Sequence, residues 1–549
     1  MTVRACAALA LALLAGSPAA PAPASAEPEA RPDVVVVVNA RAPISEAIGA
    51  YYARSRGVPP GNVARLAIEI PDPELRDASH ERIGRARFEA EIRDPLQRFL
   101  ATEGRAGRVR VLVLTKGVPL QIVDEERVPL DLLLRDSRRA SVDAELALLG
   151  SGRDGAPGVV DLVNPWFGSD LPFEAFRARH PDAALRYLVG RLDGYRDPLD
   201  PETGVPADVK ALVDRARAPW PGGAARRARW LVDEDPDTAP GRVGGNVVFL
   251  GAAAAALRAL GRPVIHDRTP AFVHDAADLV GYASWGSNDG HDPGFPTYGW
   301  IGGKLYPGTF LPRAVAVDLV STNARTFSRS DTAEGQSLVA ELVHLGVAGA
   351  AGHVAEPVLT AVPRPPVLLA HYAMGAPAGE AYFRSLPYLG WVNVWVGDPL
   401  MTLPRGATTP PRARRPRDFD GDGTPDTADD CTRLPNRDQR DADGDGIGSL
   451  CDPDVDQDGV VTTSWGDVTA PGSLGDLERI FLAARPGAPY DPRCDLDGDG
   501  AVNLVDVGFA QLWLGRPPGP SALASPPAAP PAPAPAPTPA PGAPSASAR

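Results

Sequence analysis

Cysteine is scarce: the 549 residues hold only Cys6, Cys431, Cys451 and Cys494, with none between residues 27 and 417. That absence excludes a thiolate nucleophile or a cysteine-ligated metal from the long middle stretch, since both need the sulfur. Long apolar runs are missing too. Ala5–Leu14 is apolar but short, and no segment reaches the roughly eighteen uninterrupted apolar residues of a membrane span. Basic residues are outnumbered, 55 Lys and Arg against 69 Asp and Glu, for a net charge of −14. This sets nucleic acid aside as a partner and leaves no basic patch for anionic membranes. The G-x-S-x-G elbow of many serine hydrolases is also absent.

What is present is concentrated near the C-terminal end. Residues 418–458 hold fourteen aspartates against Arg433, Arg437 and Arg440, so the charge is local and the rest is close to neutral. Such crowded carboxylates repel one another and expand a chain that has no counterions. The pattern is phased, however. Asp418, Asp420, Asp422 and Gly423 recur as Asp441, Asp443, Asp445 and Gly446, with Asp426, Asp429 and Asp452 following. Calcium takes six to eight oxygen ligands, and Asp at loop positions 1, 3 and 5 with Gly at 6 aims carboxylates at one centre. The phasing predicts calcium as cofactor.

Arg4, the apolar stretch behind it and Ala24-Ser25-Ala26 form an export signal over residues 1–26. The mature chain is therefore expected to be secreted, to the periplasm, cell surface or medium. An oxidising compartment permits a disulfide, and Cys431 and Cys451 flank one acidic repeat. Closing a loop of about twenty residues contributes on the order of 3 kcal/mol in the chain-entropy model. Cys494 is left free or paired with another chain.

Residues 27–406 read as one α/β unit, a mostly parallel sheet with helices on both faces. Val34–Val38 is a β-branched run suited to a strand buried on both sides. Further strands are expected at 109–114, 229–232, 264–266, 279–284, 314–320 and 346–350, with helices at 44–55, 82–101, 207–216, 247–260 and 335–345. A Pro/Arg linker fills 407–417, the acidic repeat 418–453, a second small module 454–514, and a disordered Pro/Ala tail 515–549.

The aspartates of 418–452, bracketed by Cys431 and Cys451 and interrupted by Asn436, Asp438 and Gln439, resemble a thrombospondin type 3 repeat. The resemblance implies that calcium ions stand in for a hydrophobic core. Thr432 and Ser449 depart from its usual Pro and Asp. The next module resembles a dockerin, two calcium loops each followed by a helix, which implies a cohesin-like or cell-surface protein as partner. Packing against its own chain is the other possibility. Its second loop is complete: Asp495, Asp497, Asp499, the carbonyl of Ala501, Asn503 and Asp506. The first begins with Asp454, Asp456 and Asp458 but has Trp465 at position 12; an insertion of about eleven residues makes Asp476 the displaced ligand. Asp454–Asp458 could equally close the preceding repeat.

Two turns follow apolar strands in the large unit: Ser284-Trp-Gly-Ser287-Asn288-Asp-Gly-His291 and Ser321-Thr322-Asn323. Together with Gly352-His353 and Gly397-Asp398-Pro399 they resemble the gingipain-like branch of caspase-fold peptidases, in which a histidine and a cysteine at such turns form the dyad. Here Ser287 or Asn288 replaces the histidine and Ser321 or Thr322 the cysteine, so a cysteine-peptidase mechanism is excluded. The domain also resembles a secreted bacterial family associated with exosortase sorting, through segments such as Thr115-Lys116-Gly117-Val-Pro119, Ser141-Val-Asp143 and Arg191-Leu-Asp193-Gly194. That likeness implies no particular activity. A non-catalytic domain acting in extracellular assembly is the main reading. A serine-type hydrolase using Ser287 or Ser321 with His291, and a pure cohesin-docking component, are the alternatives. Lys116 and Arg325 could hold an acidic group or pair with Asp143 or Asp318.

Overall fold

The computed structural model describes residues 28–123, 140–153, 162–234, 246–286, 298–329, 336–357, 361–404, 422, 424–434, 436–462, 475–485, 487–511, 513 and 517–524. The expected export signal, the Pro/Arg linker and residues 525–549 lie outside them.

Every residue of Val34–Asn39 (β1) is buried, as its unbroken valine run predicts for a strand covered on both faces. It belongs to a ten-stranded sheet. The other strands are Val63–Leu66 (β2), Val111–Thr115 (β3), Leu188–Leu192 (β4), Arg229–Asp233 (β5), Val264–Asp267 (β6), Ala276–Ser284 (β7), Gly308–Asp318 (β8), Gly349–His353 (β9) and Asn393–Gly397 (β10). Their order across the sheet is β2-β1-β3-β4-β10-β9-β8-β7-β5-β6. All neighbours are parallel except β9 and β10, which pair antiparallel from Gly349 opposite Gly397 to His353 opposite Asn393. The sheet is thus two parallel blocks meeting at one antiparallel seam, and the C-terminal ends of the blocks open at opposite edges.

Helices follow from local signals. Pro43–Arg56 has Pro43 at its start and ends on Gly57 at φ 68°, the left-handed cap that glycine allows. Its Ile44, Ile48 and Tyr52 face the sheet at four-residue spacing. Pro365–Ala373 is buried along its whole length, a central helix with no wet face. Several expected elements differ, among them the helix expected at 335–345, which begins at Val339. The helix expected over 82–101 is divided into strand Arg82–Gly84, a short helical turn, a π-turn at Glu89–Arg93 and helix Asp94–Ala101. Ile83 pairs with Ile122 in a small separate sheet, and Pro95 has no N–H to donate to the preceding turn. The strand expected at 346–350 begins three residues later, because Gly346 ends helix Val339–Leu345.

A buried polar network ties the first block together. Arg191, fully enclosed in β4, donates to Asp143 at 2.5 Å and to the carbonyls of Val118 and Pro119 at 2.8 Å each. Lys116, just past β3, donates to Asp193 at 3.0 Å and to the Phe327 carbonyl at 3.3 Å. Glu81 accepts the Phe327 N–H at 2.7 Å. Beyond β10, Asp398 accepts from Tyr52 Oη at 2.8 Å and pairs with Arg56, joining the end of the domain to its first helix. These buried charges are partnered, as burial requires.

The acidic part is compact around the Cys431–Cys451 disulfide, whose Cα atoms are 5.8 Å apart. Helices Asp476–Ala483 and Leu504–Gln511 pack against each other with Ile480 and Phe509 buried. Cys494 is a free, buried thiol. The stretch 517–524, which falls in the expected disordered tail, lies on the repeat. Gly519 N–H donates to Cys451 O at 2.9 Å, Thr432 N–H to Pro520 O at 3.0 Å and Ala522 N–H to Asp429 O at 2.9 Å. Proline loses little entropy on docking, so a polar-poor segment can still be held by its backbone.

Burial pushes the Glu81 carboxyl up to about 7, against the attraction of Lys116. The protonated form is therefore the stabilising one. Its contribution is complete below the ordinary value of 4.5 and lost as pH rises through about 7. Glu81→Gln should flatten the pH dependence of denaturant unfolding in that window by on the order of 2–3 kcal/mol. Identical pH profiles for variant and wild type would mean that Glu81 does not titrate there.

Candidate metal centre

Three groups of carboxylates converge: Asp441, Asp443 and Asp445; Asp454, Asp456 and Asp458; and Asp495, Asp497 and Asp506. Within each, one oxygen per residue lies within 4.8 Å of the others. The local fold explains the convergence. Asp441 accepts from Gly444 N–H at 2.7 Å and Gly446 N–H at 2.9 Å, and Asp445 from Ile447 N–H at 2.7 Å. Gly446 sits at φ 91°, which a side chain would strain. Asp452, eleven residues after Asp441, is buried and pushed up to about 8, first by burial and then by Asp445 and Asp443. It stands where the twelfth loop position belongs.

The other two loops share most of their backbone bonds, including those of the third-position Asp497 and Asp456 N–H groups to Asp506 and Asp476 at 3.3 and 3.1 Å. They differ at the second position, where Val455 N–H goes to the Pro453 carbonyl. In the last, Gly500 N–H donates to Asp495 at 3.2 Å and Ala501 N–H to Asp499 at 2.8 Å, while Asp506 accepts from Leu496 at 2.7 Å and from Asn503 at 2.7 Å. In the earlier one, Gly459 N–H donates to Asp454 at 2.8 Å and Val460 N–H to Asp458 at 2.9 Å, while Asp476 accepts from Asp456 at 3.1 Å and Thr462 at 2.9 Å. Asp476 thus occupies the place that Asp506 has in its loop, across the insertion. Thr462, ninth from Asp454 as Asn503 is ninth from Asp495, was not among the sequence candidates. Spacing alone could have found it.

For the first loop, Asp418 and Asp420 lie outside the described residues. Asp422 accepts Thr424 N–H at 2.6 Å and Gln439 Nε2 at 3.2 Å, and Gln439 also donates to Asp429 at 3.0 Å. Asp426 adds its charge to that of Asp422 against Asp429, whose carboxyl burial and these neighbours raise. Among the described residues of the acidic part, three buried oxygens have no hydrogen-bond donor: Asp429 Oδ2, Asp456 Oδ1 and Thr462 Oγ1. Hard oxygens left in this way, two carboxylate and one hydroxyl, fit calcium, which would satisfy them and offset the repulsion. Arg440 reaches from the repeat to Asp495 Oδ2 at 3.3 Å, and Tyr490 Oη donates to the same oxygen at 2.6 Å.

The strand ends of the large domain are arranged differently. Ser287 and His291 lie outside the described residues. Ser321 is half-buried beside a cluster of Asp318, Asn323 and His353. Asp318 accepts from Tyr298 Oη at 2.8 Å and from Asn323, and burial raises it to about 6. His353 Nδ1 bonds the Val320 carbonyl at 3.1 Å, its Nε2 is buried without a partner, and burial lowers it to about 4, so the ring is neutral. Lys116 pairs with Asp193 rather than Asp143, and Arg325 reaches the Thr322 carbonyl at 3.3 Å. Among the described residues, Asn323 bonds both Asp318 and the His353 N–H at these ends.

The thrombospondin type 3 repeat family matches residues 416–439 and 440–463. The second match runs past the expected boundary at 453 and takes in Asp454, Asp456 and Asp458, one of the two assignments their spacing allowed. Cartilage oligomeric matrix protein of Bos taurus is 54% identical over 55 residues, which is 8% of this chain and 7% of that relative. A solved chain titled "Structure of Protease" is similar at a TM-score of 0.32 and 8% identity, over 67% of this chain and 78% of its own. A likeness at that level carries no argument. The C-terminal part therefore carries calcium-binding repeats of an extracellular type, joined to an α/β domain with a large, mostly parallel sheet.

Asp476→Ala should lower the calcium stoichiometry in native mass spectrometry by one ion per chain and leave the fold of the large domain unchanged. Unaltered stoichiometry would remove Asp476 from the ligand set.

Proposed function

We propose that this chain is a secreted calcium-binding protein in which a caspase/gingipain-like domain without the Cys/His dyad acts non-catalytically, as part of a cell-surface or extracellular assembly. The observation that carries the reading is the recurrence of one loop architecture, with buried oxygens such as Asp429 Oδ2 and Thr462 Oγ1 left for a cation. Ligands are assigned as Asp418, Asp420, Asp422, Asp426 and Asp429; Asp441, Asp443, Asp445 and Asp452; Asp454, Asp456, Asp458, Thr462 and Asp476; and Asp495, Asp497, Asp499, the Ala501 carbonyl, Asn503 and Asp506. Each carboxylate brought into such a loop costs repulsion that calcium offsets, so calcium binding and folding of this part are one process. The reading of 454–514 as a dockerin-like module is supported by its two matched loops, each with a following helix, and by the exposed Phe481 and Tyr490 beside them. A cohesin-like partner would suit that surface.

Protease resistance and circular dichroism of the C-terminal part should rise together as calcium passes through about 0.1–1 mM, the range of extracellular modules. Capture of a cohesin-type partner should need the same calcium. No spectral change on titration would overturn the calcium reading, and capture unaffected by a chelator would overturn calcium-dependent docking. The non-catalytic reading rests on the neutral, enclosed His353 and on the missing thiol. A serine-directed fluorophosphonate should therefore leave the chain unlabelled; labelling lost in Ser287→Ala or Ser321→Ala would establish a serine hydrolase instead.

A further inference from the structure

The repeat does not stand away from the α/β domain. Arg433 lies so close to Gly168 that a Cβ there would come within 2.6 Å of the guanidinium. Beside this contact a cleft of about 370 Å³ is walled by Phe167, Pro366 and Val367 of the large domain and by Leu434, the Cys431–Cys451 disulfide and Trp513 opposite. Its size falls within the range of ordinary ligand sites. Its walls are mostly apolar and contain two aromatic rings, a surface suited to an extended proline-rich strand, whose ring faces need apolar contact and whose carbonyls need occasional donors.

A proline-rich turn of the chain is already seated there, with Gly519 at φ 86°. Pro517, Pro518 and Pro520 form part of the rim, and Trp513 Nε1 donates to the Gly519 carbonyl at 3.3 Å. The segment fixes one edge of the cleft and leaves the rest open. It then leads directly into residues 525–549, where ten of 25 residues are proline, nine are alanine, and Arg549 carries the one charged side chain.

We propose that the open part of this cleft is the docking site of the chain's own segment 525–549, folded back as a polyproline strand beside Pro517–Pro520. Reach is not a constraint. In that conformation 25 residues extend about 78 Å at about 3.1 Å each, while the segment starts next to Ala524, which lies against Gly446. The covalent tether raises the local concentration of the tail to about the millimolar range, so weak contacts suffice. The tail has almost no charge to desolvate, and polyproline loses little entropy on ordering. The proposal is independent of any metal in the loops, since the walls named are apolar side chains and a disulfide.

The test compares the full chain with a variant ending at Ala524, both in saturating calcium, using a synthetic peptide of residues 525–549 as probe. Isothermal titration should show one peptide per truncated chain, with a dissociation constant of roughly 10–1000 μM, and at least tenfold weaker binding to the full chain, whose site is already filled. Phe167→Ala and Leu434→Ala, one on each wall, should each weaken peptide binding to the truncated chain at least fivefold with unchanged melting temperature. Absence of binding to the truncated chain overturns the proposal. So does equal binding to both chains, or binding that neither wall variant alters. A concentration-dependent dimer of the full chain that vanishes on truncation would assign the cleft to a second copy's tail and would also overturn it.

Discussion

Mutual repulsion among carboxylates is the constraint that organises everything beyond residue 422. In each loop three or more acidic side chains are turned inward by backbone N–H groups, as Gly446 and Gly444 turn Asp441. That arrangement is the reverse of what charge alone favours. The chain meets the cost with few means: a disulfide, two short helices and the backbone bonds of 517–524. Ordinary apolar burial is thin there, confined to residues such as Val461, Ile480 and Phe509. A divalent cation is the one component that turns the repulsion into attraction, which is why loop geometry and metal identity are the same question in this part.

The α/β domain solves the opposite problem. Its deepest ion pairs have fixed partners: Arg191 with Asp143, Lys116 with Asp193, Asp398 with Arg56. Among the described residues, some strand ends carry side chains bonded to one another, as Lys116 to Asp193 and Asn323 to Asp318. His353 shows the difference most clearly, since a ring kept neutral by burial is poorly suited to proton exchange with solvent.

Much of this was legible in the sequence, because the signals were local. The valine run of β1 could only be a doubly covered strand, and the two-residue phasing of aspartate with glycine could only make turns. What escaped was set by distant partners. Leu188–Leu192 does not look like a central strand because Arg191 interrupts it, and only Asp143 and two carbonyls make that arginine tolerable. The strand Asn393–Gly397 is short and borders glycine, and its place in the sheet depends on β4 and β9. At the candidate site, Asp476 could be inferred by comparing loops. Thr462 was overlooked because threonine does not stand out as a calcium ligand. The docking of 517–524 was illegible because composition shows that proline resists helix and sheet, and not what it will lie against.

The antiparallel seam has a consequence for how the chain is made. The block that starts with Val34 is bounded at the seam by β10, so its last strand is supplied by residues 393–397, and Tyr52 and Arg56 wait for Asp398. Most of the domain must leave the ribosome before its first-made half can close. A fold that depends on its own far end has high contact order and stays open longest. Strand pairing at the seam is therefore the step that waits for the last-made part of the domain, whatever order the other strands take.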